Sequence, residues 1–319
     1  MRAIRVHEVG GPEVLRLEEL PTPEPGPGEV LVRLEAIGVN YIDTYKRKGL
    51  YPMPLPFTLG EEGAGVVEQV GDGVLGVRPG DRVAFANVQG SYAQYQLVPA
   101  ERLVPIPEGL SPKLAAAVLL QGMTVHYLLK STYPVGPGTQ VLVHAAAGGV
   151  GTLLVQWAKR LGATVYATAS TEEKRALARS LGADYALPYE GFAEAVKALS
   201  GGGVDVVYDG VGKDTFLGSL EALRPRGYLV LFGQSSGPVP PQDPQILNRK
   251  GSLFLTRPTL HHYTASRKEL LWRAGEVFQA VREGWLKVLL GAEFPLERAK
   301  EAHEALEGRK TTGKVLLIP

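Results

Sequence analysis

The sequence contains no cysteine, so it cannot form disulfide bonds, thiolate nucleophiles or cysteine-ligated metal sites. The sequence also has no excess of positive or negative charge, because its formal net charge is only +1 and no stretch is strongly basic. We therefore expect no nucleic-acid partner. All apolar runs fall short of the roughly 18 residues that a membrane helix needs, and MRAIRVHEVG lacks the apolar core of a secretory signal. These absences favour a cytoplasmic protein without a membrane partner.

What the sequence does contain is a change of pattern near Ser111. Before it, glycine and proline separate short β-branched runs such as EVLVRLEAIGV, AGVVEQVG and DRVAFANV, which predicts strands and turns in a barrel-like arrangement. After it, SPKLAAAVLLQGMTVHYLLKSTY has a helical period, with Ser111 as the N-cap and Pro112 as the first helical residue. A chain of 319 residues is about right for two domains.

From Gln140 onward, strands and helices alternate. The apolar runs QVLVHAA, TVYATAS, VDVVYDGV and GYLVLFG predict parallel strands buried on both faces, which indicates an α/β fold. Two helices are predicted around Leu270–Arg282 and Leu296–Leu306, followed by the closing strand KVLLIP. That last strand can return to the first β region, which makes the amino-terminal domain discontinuous.

The strongest local signal is the glycine turn in QVLVHAAAGGVGTLLVQWAKRLGATVYATAS, a strand–turn–helix–strand unit of about 30 residues. Gly148 lets the backbone approach a pyrophosphate, and Gly151 lets the helix pack against the strand. The residues Gly148, Gly149, Val150 and Gly151 therefore place helix amino-terminal N–H groups against a dinucleotide. Ala146 stands where the usual fingerprint has its first glycine, and we expect its φ to be negative. The alternative is a glycine-rich turn in another kind of α/β protein.

The end of the second strand of this unit selects the cofactor. A site for NAD places Asp or Glu there, about 20 residues past the glycines. The residues present are instead Thr168-Ala169-Ser170-Thr171, followed closely by Lys174. A hydroxyl and a cation suit the 2′-phosphate of NADPH, and Ser170 with Glu173 fits a capping box that explains the nearby acids. The alternative for Lys174 is an ordinary solvated helix lysine.

Several segments together resemble one family: HEVGGPEVL, AIGVNYIDTYKRKGLYP, HAAAGGVG, VVYDGVG, GSLFLTRPTL and LEGRKTTGKVLLIP. They are similar to the zinc-independent quinone oxidoreductase (zeta-crystallin) branch of the medium-chain dehydrogenase/reductase family. The resemblance implies a Rossmann-type, doubly wound parallel-sheet domain over residues 122–264 that binds NADPH. It also implies a β-rich, GroES-like catalytic domain over 1–121 and 265–319. The implied reaction is hydride transfer from NADPH to a quinone, a conjugated carbonyl acceptor.

The zinc alcohol dehydrogenases are the relatives to separate from this branch. They bind catalytic zinc through a cysteine after a Gly-Val pair and a histidine in a Gly-His-Glu triplet. Here Gly38-Val39 is followed by Asn40, and the triplet is Gly60-Glu61-Glu62. His261-His262 is the only adjacent histidine pair, and on a strand its side chains would face opposite ways. We expect no metal site.

The resemblance also implies which side chains act in catalysis, namely Asn40, Asp43, Tyr45 and Tyr51. Asn40 is the best candidate to contact the nicotinamide ribose or the acceptor. Tyr45 or Tyr51 is placed to hydrogen-bond a developing enolate or semiquinone-like oxygen. Asp43 has an alternative as a structural hydrogen-bond acceptor, and Tyr51 as a turn aromatic. None of them is required as proton donor, because water can protonate the product.

Further cofactor contacts are implied outside the glycine turn. Two of them are arginines, Arg257 and Arg309, and an arginine can bind a phosphate through its planar fork of donors. The alternative for each arginine is a surface ion-pair partner. Thr124 is expected before the helix that leads into the cofactor domain, and Tyr189 over the adenosine. The remaining implied contacts are Phe232, Gly233, Arg257 and Arg309.

Two other functions remain open at this point. An enoyl or alkenal reductase would use the same site to add hydride to a C=C bond. A nucleotide-binding structural or RNA-binding protein is the non-enzymatic alternative, although the low charge argues against RNA. The segment 251–258, GSLFLTRP, also predicts an apolar strand at the edge of the parallel sheet. An uncovered edge of this kind favours a homodimer in which two such strands pair.

Overall fold

The structure, a computed structural model, describes all 319 residues. No helix in it combines the length and apolarity needed to cross a membrane. The chain forms two compact units, the first made of residues 1–123, 263–284 and 288–319, and the second of 124–262 and 285–287. The elements up to residue 127 are β1 (Arg2–Val6), β2 (Leu15–Glu19), β3 (Glu29–Val39), α1 (Tyr41–Arg47), β4 (Phe57–Thr58), β5 (Glu62–Val70), β6 (Arg82–Ala86), β7 (Tyr95–Pro99), β8 (Val104–Pro105) and α2 (Pro112–Tyr127).

The rest of the chain contains eight strands and eight α-helices. They are β9 (Gln140–Val143), α3 (Gly149–Arg160), β10 (Thr164–Thr168), α4 (Glu172–Ser180), β11 (Tyr185–Leu187), α5 (Phe192–Ser200), β12 (Val204–Asp209), α6 (Phe216–Ala222), β13 (Leu223–Leu231), α7 (Gln245–Arg249), β14 (Phe254–Thr256), α8 (Leu260–Tyr263), α9 (Arg267–Arg282), β15 (Leu290–Pro295), α10 (Ala299–Glu307) and β16 (Lys314–Ile318).

The first unit is built on β3, which pairs antiparallel with β5, β7 and β16. Its larger sheet runs β15-β16-β3-β5-β6-β8, and a smaller sheet runs β2-β1-β4. Alternate apolar residues of these strands fill one core, in which Val30, Val32, Ile37 and Leu317 are fully buried. The pairing of β16 with β3 confirms that the closing strand returns to the first β region. It also brings the carboxyl-terminal strand beside Gly38, which lies opposite Leu316.

Helix α2 begins where its capping residues predict. The Ser111 hydroxyl accepts a hydrogen bond from the Leu114 N–H at 3.1 Å, and Pro112 is the first helical residue. The next turns, from Ala115 to Leu119, are completely buried, which explains why this stretch carries no polar face.

The second unit is a six-stranded, fully parallel sheet in the order β11-β10-β9-β12-β13-β14. This is the doubly wound order of dinucleotide-binding proteins, with the winding direction reversing between β9 and β12. Ligands of such sheets bind outside the carboxyl ends of the strands that flank this reversal. The continuous apolar strands predicted from the sequence are therefore confirmed, and their buried side chains include Leu142, Val207 and Leu229.

Two local expectations differ from the structure. The edge strand β14 covers only Phe254–Thr256, because Gly251 and Ser252 take left-handed φ angles of 115° and 55° before it and Pro258 follows. His261 and His262 lie in the short helix α8 and not on a strand, so the argument that their side chains alternate across a sheet was wrong.

Candidate active site

The glycine turn joins the carboxyl end of β9 to α3. The left-handed residue of this turn is Ala145, with φ of 52°, whereas Ala146 does not have a positive φ. Ala146 N donates to Thr168 O at 3.0 Å, and Ala145 N donates to the Tyr189 hydroxyl at 3.1 Å. These two bonds hold the turn against β10 and the segment after β11. The expectation for Ala146 is confirmed, and the backbone strain falls one residue earlier.

The glycines of the turn have separate steric roles. A Cβ on Gly151 would lie 2.2 Å from the Ala145 carbonyl oxygen, so only glycine allows α3 to approach the turn this closely. Gly148 is the N-cap of α3 and contributes no side-chain hydrogen bond. The N–H groups of Gly149, Val150 and Gly151 therefore stand in the first turn of a 12-residue helix without a capping side chain. The turn fits an anionic phosphate group at the positive end of the helix.

Beneath this turn lies a buried polar network that the sequence did not reveal. His144 Nε2 is 2.9 Å from the Ser219 hydroxyl, and His144 Nδ1 is 2.7 Å from the Thr168 hydroxyl. The Ser219 hydroxyl donates to Asp209 Oδ2 at 2.8 Å, so Nε2 must donate to Ser219, and in the neutral imidazole Nδ1 then accepts from Thr168. Burial lowers the pKa of His144, which favours this neutral form.

Asp209 connects the network to the end of β12. Its Oδ1 accepts from the N–H groups of Val211 and Gly212 at 2.9 and 3.0 Å, and from the Thr215 hydroxyl at 2.8 Å. The side chains of this network are buried, and the Ser219 proton is directed to the carboxylate. The set therefore shares its residue types with a Ser-His-Asp triad but not its hydrogen-bond direction or its exposure. It fixes the strand ends around the glycine turn.

The end of β10 carries Ser170, which is exposed, and no acidic residue. The N-cap of α4 is Thr171, whose side chain accepts from Lys174 N at 3.3 Å. The predicted capping box of Ser170 with Glu173 was therefore wrong by one residue at the cap. The hydroxyl that Ser170 was expected to use as a cap is not needed there, since Thr171 takes that role.

The charged side chains on α4 are not equivalent. Arg175 donates to Glu172 Oε2 at 3.0 Å and to the Ala169 carbonyl at 3.1 Å, and Arg179 also binds Glu172. Hydrogen bonds from Arg179 and Arg175 lower the pKa of Glu172, which is thus held as a carboxylate by two cations. Lys174 is half-buried on the same turn as these groups, next in sequence to the pair of acids.

The other predicted cofactor residues are dispersed. Tyr189 stacks on His144 with 6.1 Å between ring centroids, in addition to its bond to the glycine turn. Phe232 N donates to Asp209 O at 2.9 Å, and a Cβ on Gly233 would lie 2.6 Å from Gly210 O, so both lie where β13 meets β12. Thr124 was expected before the helix that leads into the cofactor domain, but it lies inside α2. The two arginines lie in loops, Arg257 directly after β14 and Arg309 after α10.

In the first unit, Asn40 and Asp43 are joined directly. Asn40 is the N-cap of α1, and its backbone N–H donates to Asp43 Oδ2 at 2.8 Å. Asp43 is completely buried, and its Oδ1 has no hydrogen-bond partner. Burial raises the pKa of the Asp43 carboxyl to about 7, against lowering by the bonds from Asn40 and Tyr92 and by the nearby Lys314 and Lys46.

A directional chain of hydrogen bonds leads away from Asp43. Arg47 Nη1 lies 2.7 Å from His303 Nδ1, and because an arginine can only donate, Nδ1 accepts. His303 Nε2 then donates to the Tyr92 hydroxyl at 3.0 Å, and that hydroxyl donates to Asp43 Oδ2 at 3.0 Å. Burial, followed by the charge of Arg47, lowers the pKa of His303 to about 3. The chain ties both ends of α1 to α10 through neutral His303.

Asn40 also contacts a buried ion pair. Lys314 Nζ lies 2.6 Å from Glu62 Oε2 and 2.9 Å from Asn40 Oδ1, and Asn40 Nδ2 donates to the same Glu62 oxygen at 3.0 Å. The other acid of the triplet, Glu61, is bound by Lys46. Neither Glu62 nor Lys314 was predicted as a site residue. The sequence signal was the acidic pair after Gly60, which was interpreted only as a missing zinc motif.

The two predicted tyrosines pack on each other. The rings of Tyr45 and Tyr51 meet edge to face at 5.6 Å, and Tyr41 approaches Tyr45 at 6.3 Å. Tyr45 is 7% exposed and Tyr51 is half-buried. The structure thus brings together Asn40 and Asp43 by hydrogen bonds, and Tyr45 and Tyr51 by ring contact, all on or beside α1.

Two family models match the chain. The alcohol dehydrogenase GroES-like domain model matches residues 26–108, and the zinc-binding dehydrogenase model matches residues 149–269. The chain is 46% identical to a quinone oxidoreductase of Pseudomonas aeruginosa, over 100% of this chain and 99% of that protein. It is 45% identical to a 2-haloacrylate reductase of a Burkholderia species, over 98% of both proteins. The crystal structure of Escherichia coli quinone oxidoreductase complexed with NADPH superimposes with a TM-score of 0.98, at 45% identity and with both chains fully covered.

Proposed function

The chain belongs to the quinone oxidoreductase branch of the medium-chain dehydrogenase/reductase family, and from that premise we infer that it is an NADPH-dependent enzyme that reduces quinones. The observation that carries this inference is the parallel-sheet unit with its glycine turn, joined in one chain to a β-rich unit that holds Asn40 and the tyrosines. Relatives of full length that carry the name quinone oxidoreductase support it.

The residues of the second unit fit NADPH. The close approach at Gly151 and the uncapped first turn of α3 suit a pyrophosphate. Ser170 and Lys174, with no acid at the end of β10, suit a 2′-phosphate. Tyr189, Phe232 and Gly233 lie at the same carboxyl edge of the sheet, where ligands of doubly wound sheets bind. Thr124, Arg257 and Arg309 are further proposed contacts.

The residues of the first unit orient the reaction. NADPH, when bound, supplies the hydride, and a quinone is electrophilic enough to need no Lewis acid. Asn40 is held by its neighbours and is proposed to contact the bound ligands. Tyr45 and Tyr51 are proposed to donate hydrogen bonds to the acceptor oxygen as charge develops on it. Asp43, being fully buried in its network, is proposed to position α1 and Asn40.

A second reaction of the same site is supported by one relative. The 2-haloacrylate reductase at 45% identity carries a name that implies reduction of a C=C bond conjugated with a carboxylate. Hydride addition to an alkenal would use the same residues. The test is a panel of 1,2-naphthoquinone, benzoquinone and 2-alkenals, with NADPH loss followed optically at matched concentrations. We expect turnover with the quinones to exceed that with the alkenals by at least about tenfold in kcat/KM.

That panel also tests the enzyme assignment itself. Absence of NADPH consumption with every acceptor, by a folded protein that binds NADPH, would overturn the proposed activity. A nucleotide-binding or RNA-binding role would then gain support, and a salt-dependent gel shift with RNA would examine it.

The edge strand β14 supports a proposed homodimer. It pairs only with β13, and its Phe254 and Leu255 side chains are 50% and 43% exposed. An open edge with exposed apolar side chains is a hazard for a monomer. Two copies related by a twofold axis would cover it by pairing residues 251–258 with the same residues of the second copy.

A further inference from the structure

A buried ion pair in the first unit lies beside Asn40. Lys314, at the start of β16, and Glu62, at the start of β5, are 1% and 0% exposed in their side chains, with 2.6 Å between Nζ and Oε2. The other carboxylate oxygen, Oε1, accepts from the Leu120 N–H at 2.6 Å. Buried ion pairs on average do not stabilise a fold more than apolar residues of similar volume would. The pair therefore needs an explanation other than stability.

The neighbouring strand β3 is adapted to the pair. Gly38 has an ordinary backbone conformation, yet a Cβ there would lie 2.1 Å from Glu62 Oε2 and 2.9 Å from Lys314 Cε. Any other residue at this position would displace the carboxylate or the lysine stem. Gly38 thus makes room for the pair directly before the segment that carries Asn40.

The pair determines how the Asn40 amide is oriented. Lysine only donates hydrogen bonds and a carboxylate only accepts them, so Oδ1 must face Lys314 and Nδ2 must face Glu62. The second N–H of Nδ2 is directed to the backbone carbonyl of Gly38 at 3.3 Å. Both hydrogens of the amide are therefore committed inside the protein.

Among the amide atoms, only Oδ1 retains a lone pair that no short hydrogen bond occupies. Oδ1 has a second lone pair. Its further contacts are the Asp43 N–H in the capping box of α1, without a short hydrogen bond, and Gln121 Nε2 at 3.5 Å, the long limit of a hydrogen bond. A glutamine side chain can move aside, whereas the Gly38 carbonyl belongs to a paired strand and cannot. Rotation of the planar amide to free an N–H would break the bonds to both Lys314 and Glu62.

We propose that Lys314 and Glu62 are positioning residues that fix Asn40 as a hydrogen-bond acceptor. Asn40 then binds a hydroxyl group of the bound NADPH, such as a ribose hydroxyl, and does not donate to the oxygen of the quinone. This assignment rests on the proposed function and narrows it, because hydrogen bonds to the acceptor oxygen must come from other groups.

The test uses variants that separate charge balance from orientation. Lys314→Met and Glu62→Gln each leave one buried charge unpaired, so each lowers the unfolding midpoint. The double variant Lys314→Met with Glu62→Gln removes both charges and recovers most of the stability. It also lets the amides of Asn40 and residue 62 pair either way round and leaves only the Gly38 carbonyl to direct Nδ2, so Asn40 is held less firmly as an acceptor. The same two substitutions at the half-exposed pair Lys113–Glu293 are the matched control.

The readouts are two constants: the Kd for NADPH, from the fluorescence of the reduced nicotinamide, and the KM for the quinone substrate, 1,2-naphthoquinone. For Asn40→Ala and the stable double variant we expect the Kd for NADPH to rise about fivefold to tenfold, as for one lost hydrogen bond. The KM for the quinone should stay within about twofold, and the control pair should change neither value.

Two results overturn the proposal. A stable double variant that binds NADPH as tightly as wild type would make the pair purely structural. If the double variant does not fold, Asn40→Ala decides alone, since an unchanged Kd for NADPH with a raised KM for the quinone would make Asn40 a donor to the acceptor. Failure of the proposed function is seen separately, because wild type would then bind NADPH without reducing any quinone.

Discussion

Asp43 and His303 should make opposite contributions to stability across mildly acidic pH. The pKa of Asp43 is raised from 3.8 to about 7 in the folded protein, and the pKa of His303 is lowered from 6.5 to about 3. Between about pH 4 and about pH 6.5, folded Asp43 holds a proton that the unfolded carboxyl has lost, so its contribution to stability falls as pH rises. Over the same range unfolded His303 holds a proton that the folded imidazole lacks, so its contribution rises with pH.

The two slopes should nearly cancel in the wild type. Each group exchanges about one proton, which corresponds to about 1.4 kcal/mol per pH unit in the free energy of unfolding. Across about 2.5 pH units each contribution therefore amounts to about 3 kcal/mol, with opposite sign. Replacing one partner by a neutral isostere should leave the slope of the other uncompensated.

The perturbations are Asp43→Asn and His303→Gln, and the new glutamine amide can still accept from Arg47 and donate to Tyr92. Urea unfolding is followed by circular dichroism at about pH 4.5 and about pH 6.5, with every variant compared with wild type at the same pH. Relative to wild type, Asp43→Asn should gain stability on going to the higher pH, by about 3 kcal/mol. His303→Gln should lose a similar amount relative to wild type over the same interval.

The double variant completes the cycle. With both groups replaced, the dependence on pH should return to that of wild type, because all remaining titrating groups are shared. Parallel curves for wild type and both single variants would refute the reasoning. They would mean that folding does not shift the pKa of the Asp43 carboxyl or of the His303 imidazole.

Three further predictions concern function. Lys174→Ala should weaken NADPH binding by about tenfold and leave NADH binding unchanged, because a charge-assisted bond to a phosphate is lost. Fluorescence titration measures both affinities, and Lys197→Ala is the control. Equal losses for both cofactors would exclude contact between Lys174 and the 2′-phosphate. Exhaustive chelation should leave quinone turnover unchanged. The finding by elemental analysis of about one zinc per chain, together with loss of activity when the zinc is removed, would contradict this. Light scattering should show that the wild type is a dimer and that Leu255→Lys dissociates it. Leu217→Lys, a substitution at another exposed leucine, should leave the dimer intact. A monomeric wild type would exclude this interface.

The sequence predicted those parts of the structure that depend on local rules. The strand, glycine turn and helix at residues 140–160 need only a buried apolar run, small residues and a helical period, all contiguous. The cap at Ser111 is equally local. At Ser170 and Thr171 the same rule allows either hydroxyl, because which residue leaves the helical conformation depends on where β10 ends.

The polar networks could not be predicted in this way. Lys314 and Glu62 are 252 positions apart, and they meet only because β16 and β5 both pair with β3 in a particular register. Likewise Arg47 reaches His303 across 256 positions. A shift by one residue in any of these strands would turn the side chains to the opposite face. Their partners therefore depend on tertiary structure that a single sequence does not display.

These networks also give a physical reason to expect a metal-free site. Where the zinc dehydrogenases have a cysteine, this chain has neutral Asn40, and the two acids of the triplet are each bound by a lysine, Glu61 by Lys46 and Glu62 by Lys314. Charge around Asn40 is thus balanced without a metal ion. A divalent cation would have to displace an ammonium group that is already buried and hydrogen-bonded. The ligands left for it would be an amide oxygen and carboxylates. Without histidine or cysteine, this donor set suits zinc poorly. In this chain ammonium groups thus neutralise both acids of the triplet, and a quinone that is already electrophilic needs no Lewis acid.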